Sequence, residues 1–72
     1  MGKKLLPYDT NIKDGDTVEI FNPISDMEKD MVNKYQIKQL TFEGWSNPHG
    51  YARCRDNIGA IWHIHPESLI YY

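Results

Sequence analysis

Four side chains could do metal or nucleophile chemistry: His49, Cys54, His63 and His65. A zinc site needs three or four such ligands converging. A cysteine nucleophile needs exposure and a nearby positive charge. The spacing satisfies neither condition. His63 and His65 are two residues apart, so on a strand they share a face roughly 6.6–6.8 Å apart. His49 falls at the tip of a turn, and Cys54 belongs to the opposite, apolar face of its strand. Arg53 and Arg55 flank Cys54 in sequence but alternate away from it. Asp14-Gly15-Asp16 is a turn that lacks the other ligands of a calcium loop. No Ser-His-Asp set, phosphate-cradling glycine loop or convergent carboxylate pair can be assembled. The expectation is a non-enzymatic protein with no catalytic residue, no metal and no cofactor.

Trp45, Tyr51, Arg53, Arg55, His63 and His65 suggest recognition instead. Tryptophan, tyrosine and arginine dominate binding hot spots, and a basic, aromatic strip suits a partner surface. What would position it is a pair of hairpins from Phe42 to Ile64, with turns at Asn47-Pro48-His49-Gly50 and Asp56-Asn57-Ile58-Gly59. Asp or Asn first and Gly fourth is the chemistry of a three-residue hairpin loop. Pairing Asp56 with Ala60 sets Cys54 against Trp62, Ala52 against Ile64 and Arg53 against His63. Pairing Asn47 with Tyr51 sets Trp45 against Arg53 and Gly44 against Cys54. Side chains alternate along a strand, so Leu40, Phe42, Ala52, Cys54, Trp62 and Ile64 would face inward. Glu43, Trp45, Tyr51, Arg53, Arg55, Ile61, His63 and His65 would face out, with Glu43 and Arg55 as an ion pair.

The remaining segments read as supports. Thr17 to Phe21 alternates as a first strand after the Lys13–Asp16 turn. Asn22-Pro23 ends it. Ser25 to Glu28 fits a capping box, with Met27, Met31 and Tyr35 along one side of a short helix that a long loop could replace. Met27 and Met31 are a second expected contact for a partner, or else cover an open end of the sheet. Gln36 to Ser46 is expected as a second strand, bulged near Lys38 because Ile37 and Leu40 are out of phase. Tyr51 to Asp56 and Ala60 to His65 follow, then a Pro66–Ser68 turn and a closing strand from Leu69 to Tyr72.

The 72 residues make one domain, read as an arm over 1–11 and a body over 12–72. A chain this short buries only about 60% of its unfolded surface. A lone cysteine excludes an internal disulfide and suggests a reducing, cytoplasmic setting. No apolar run approaches the roughly 20 residues that span a bilayer, and the first residues are too short for a signal peptide. Net charge is −2. Residues 37–72 hold Lys38 and both arginines against Glu43, Asp56 and Glu67, so the acidic excess lies in the first half.

Ile12 to Ile20 resembles the opening strand of small SH3-like barrels, including those of the KOW type. Gly59 to Ile70 resembles their closing section: a strand, a proline-containing turn and a last short strand. The resemblance implies an all-β fold, or β with one short helix. It would be a five-stranded SH3-like barrel with a helix or long loop between strands 1 and 2. Several such barrels are phage or bacterial binding modules, so protein binding in an accessory or regulatory role is the leading expectation. Phe21 to Asp30 replaces the glycine-rich turn of KOW domains. Of the aromatic cluster in signalling SH3 domains, only Pro7-Tyr8-Asp9 is present. Nucleic-acid binding through the same face, with Trp45 or Tyr51 stacking on bases and Lys38, Arg53 and Arg55 on phosphates, is the alternative.

Overall fold

The Lys13–Asp16 turn closes through an Asp16 N–H bond to Lys13 O (3.0 Å), with Gly15 at φ +97°. It delivers the chain into a strand whose Val18 and Ile20 are buried. The computed structural model describes residues 2–46 and 50–72, so the Asn47–His49 turn tip lies outside the described residues. The strands are β1 (Lys3–Lys4), β2 (Thr17–Ile20), β3 (Gln39–Ser46), β4 (Tyr51–Arg55), β5 (Ile61–Ile64) and β6 (Leu69–Tyr71). One helix, α1 (Asp26–Asn33), separates β2 from β3, and a 3₁₀ turn (Pro66–Ser68) separates β5 from β6. All six strands are antiparallel in one sheet, ordered β1-β6-β2-β3-β4-β5. The protein is therefore all-β with one short helix. Among the described residues no helix is long and apolar enough to cross a membrane.

Helix α1 starts where the capping signal lies, with the Ser25 hydroxyl accepting from the Glu28 N–H at 3.1 Å. Its exit is looser. Lys34 and Tyr35 N–H both donate to Asp30 O, and Ile37 N–H donates to Met31 O at 2.7 Å, with Gln36 left-handed at φ +57°. Gln36 to Lys38 are thus the end of the helix and its connection, not the start of a strand. Ile37 was out of phase because it packs on the core from that connection. Met31 is fully buried, which removes it as a partner contact; Met27 is exposed.

Two other expectations change. The bulge in β3 lies between Phe42 and Trp45, not near Lys38. Residues 1–11 are not simply an arm, because Lys3 and Lys4 pair with Tyr71 and Ile70 as a sixth strand. Leu5 follows them into the core, its N–H on Leu69 O at 3.0 Å. One residue of the arm therefore carries a full leucine side chain of packing. Leu5→Ala should lower stability by about 2–4 kcal/mol, most of what a domain of this size has. Urea denaturation followed by circular dichroism measures it.

Candidate partner-binding face

The β4–β5 hairpin is organised by Asp56. One carboxylate oxygen, Oδ1, accepts from Ile58 N–H (3.0 Å) and Ala60 N–H (2.8 Å). The other, Oδ2, accepts from the Trp62 indole N–H at 2.8 Å. The Trp62 indole, with the turn N–H groups, outweighs desolvation and holds the Asp56 carboxyl below its usual range. Gly59 supplies the left-handed residue at φ +90°. The hairpin has the expected register: Cys54 opposite Trp62, Arg53 opposite His63, Ala52 opposite Ile64. Arg53, Arg55, Ile61 and His63 all lie exposed on the outer side. One step along, the rings of Tyr51 and His65 meet edge-to-face, 4.9 Å between centroids.

The two arginines differ in what they have left to offer. Arg55 grips Glu43 with two bonds, Nε to Oε2 at 2.6 Å and Nη2 to Oε1 at 3.0 Å, and donates Nη1 to Gly59 O at 3.0 Å. That pairing lowers the Glu43 carboxyl and raises the Arg55 guanidinium. Arg53 makes one hydrogen bond to another described residue, Nη2 to Glu43 O at 3.2 Å. The residue is exposed, and its guanidinium carries five N–H donors in all.

Trp45 does not join this face. The bulge at Glu43 and Gly44, with Gly44 at φ +127°, sets Trp45 opposite Ala52 instead of Arg53. Trp45 therefore turns inward on the same side as Phe42, their rings 5.3 Å apart and edge-on. Tyr8, itself left-handed at φ +54°, covers it from the N-terminal segment at 5.6 Å. Gly50 leaves room for that tyrosine: a Cβ there would lie 3.1 Å from the Tyr8 ring. A glycine inside a strand pattern was the available sign of a bulge. Both tryptophans are half-buried on the inner side of the sheet. Cys54 is fully buried, and desolvation pushes its thiol up to about 12, unlike a reactive nucleophile. Among the described residues no three His, Cys, Asp or Glu side chains are grouped to hold a metal, and His49 lies outside them.

A residue that sequence reasoning treated only as a helix cap proves central. Glu28 is fully buried, and its carboxylate accepts from four donors. Oε1 takes Ile24 N–H (3.2 Å) and the Ser68 hydroxyl; Oε2 takes His65 N–H (3.0 Å) and meets His65 Nδ1 at 2.8 Å. Burial pushes its pKa up, but the Ser68, His65 and Ile24 hydrogen bonds together outweigh that, and the net shift is downward. The capping-box pattern located the residue. The partners, 37 and 40 positions away, carry no local signal. Compared with protein-family models, curated proteins and solved structures, the chain matches none of them.

Removing this carboxylate strands several buried donors. Glu28→Ala should cost about 3 kcal/mol. The sign of the pH dependence follows from the lowered pKa. The stabilisation is complete above the unfolded value of about 4.3 and is lost as pH falls through the folded value. Urea midpoints from pH 7 to pH 3 should therefore fall more steeply for the wild type than for the variant.

Proposed function

We propose that this chain is a non-enzymatic, SH3-like binding module that takes a protein partner on the outer face of β4 and β5. Arg53 and His63 form its centre, with Ile61, Arg55 and the Tyr51–His65 pair around them. The observation that carries the reading is the position of Ile61 and His63 on β5, the last strand of the sheet, beside Arg53 and Arg55 on β4. Asp56 N–H bonds Ala60 O across the hairpin, so residues 60, 62 and 64 direct their backbone groups at β4. Ile61, His63 and His65 direct theirs outward. Glu28 takes the His65 N–H, whereas those of Ile61 and His63 bond to no other described residue. An exposed sheet edge can accept an extended peptide as an added strand, and neighbouring side chains then select its sequence. Arg53, one strand in, supplies the polar selection.

A nucleic-acid partner is less well supported. Glu43 neutralises Arg55, Trp45 is turned inward, and the net charge is −2. Only Arg53 on this face remains to meet phosphates, whereas backbone tracking needs several cations. The buried free thiol of Cys54 fits the reducing, cytoplasmic setting.

Affinity capture with immobilised wild type and with Arg53→Glu tests the face. Arg53 is exposed, so the variant should keep its far-ultraviolet circular dichroism while losing the proteins that the wild type retains. Recovery of the same proteins by both would remove this face as the site. Retention of oligonucleotides at low salt that Arg53→Glu abolishes would favour the alternative.

A further inference from the structure

A groove of about 530 Å³ lies over the outer side of β2 and β3, away from the residues around Arg53 and His63. Its floor is the directly paired Glu19 and Gln39. The helix exit, Tyr35 to Lys38, makes one wall, and Asn57 at the tip of the β4–β5 hairpin makes another. A smaller hollow of about 180 Å³ shares Gln39 and Asn57 and runs on past Thr17 and Thr41 to Arg55, at the border of the β4–β5 face. The main groove falls within the size range of small-molecule sites, about 300–1,000 Å³.

Its lining is chemically consistent. The side chains of Gln36, Gln39 and Asn57 converge on it, and none makes a hydrogen bond to another described residue. Each carboxamide offers two N–H donors and one acceptor oxygen. The exposed carboxamides of Asn22 and Asn33 likewise have no side-chain partner among the described residues, but only in this groove do three such groups line one hollow. Glu19 accepts the Tyr72 hydroxyl at 2.7 Å through Oε1. Lys38 balances its charge. Tyr35 is well exposed on the wall, with the Lys34 ammonium 5.5 Å from its ring centroid. Gln36 holds its place with φ +57°, a conformation that costs a non-glycine residue about 1–2 kcal/mol. A left-handed residue is a common way to end a helix, and here it sets the course of the groove wall.

The composition selects among ligand classes. A phosphate or nucleotide would meet one ammonium and a carboxylate that repels it. A purely apolar ligand would find only Tyr35 and Ile37. A metal ion would find a single carboxylate. Hydroxyl groups, which donate and accept, match carboxamides, and the C–H face of a sugar ring matches an exposed tyrosine. We propose that this groove binds a neutral saccharide of one or two rings, a site separate from the β4–β5 face.

Titration of ¹⁵N-labelled protein with glucose, N-acetylglucosamine and maltose, and with adenosine monophosphate as the anionic probe, tests it by NMR. At least one neutral sugar should produce saturable shifts in the side-chain amide signals of Gln36, Gln39 and Asn57. Gln39→Ala and Asn57→Ala should each weaken that binding about ten-fold, the loss of roughly one hydrogen bond. Arg53→Glu should leave it unchanged, which separates this site from the proposed partner face. No saturable shift with any of the three sugars would overturn the proposal. So would binding that survives both alanine variants, or saturation by adenosine monophosphate alone.

Discussion

The carboxylate of Glu28 is the contact on which the layout of this small domain depends. A buried anion is costly unless each of its lone pairs meets a donor. Here the donors come from the residues before the helix, from the end of β5 and from the 3₁₀ turn. Helix α1 has eight residues and would be marginal alone. Its attachment rests on Met31 entering the core and on this one side chain reaching across. The same bond fixes where β5 stops being an available edge, because it occupies the His65 N–H that an added strand would otherwise use.

Phase along β3 is the second determinant. Phe42 and Trp45 are three residues apart, yet both point inward, because Glu43 and Gly44 form a bulge where the register against β4 shifts. The consequences spread in both directions. Trp45 becomes a shelf for Tyr8, drawing the N-terminal segment onto the body. Glu43, on the outside of the bulge, reaches Arg55 through its side chain and Arg53 through its carbonyl. The arginine face is thus arranged by a backbone irregularity one strand away.

Much of this was readable in the residues. The Asp56–Gly59 turn determined its hairpin, because Asp at the first position and Gly at the fourth leave one economical geometry. That hairpin placed Arg53 beside His63, and Cys54 beside Trp62, correctly. The strand boundaries from β4 onward and the Ser25 cap were legible for the same local reasons. Trp45 was misplaced because alternation was carried straight through Gly44, where the strand gains a residue. Met31 could not be told from a contact residue, since helical spacing shows a face but not what it meets. The sixth strand and the partners of Glu28 depend on contacts distant in sequence, which leave no pattern of type or spacing.

The two sides of the outer surface differ in kind. Around β4 and β5 the side chains are charged or aromatic and the backbone edge is open. Over β2 and β3 they are amide-rich, with Glu19 and Lys38 as one charge of each sign, and β2 is paired on both of its edges. Both depend on α1 being held in place, one through His65 and the other through the wall from Tyr35 to Lys38. The most direct test is the ionisation of the buried acid itself. A ¹³C titration of the Glu28 side-chain carboxyl should give a midpoint clearly below the ordinary value of about 4.3. A midpoint at or above that value would mean the carboxylate is not held by these donors, and the account of how the helix meets the sheet would be wrong.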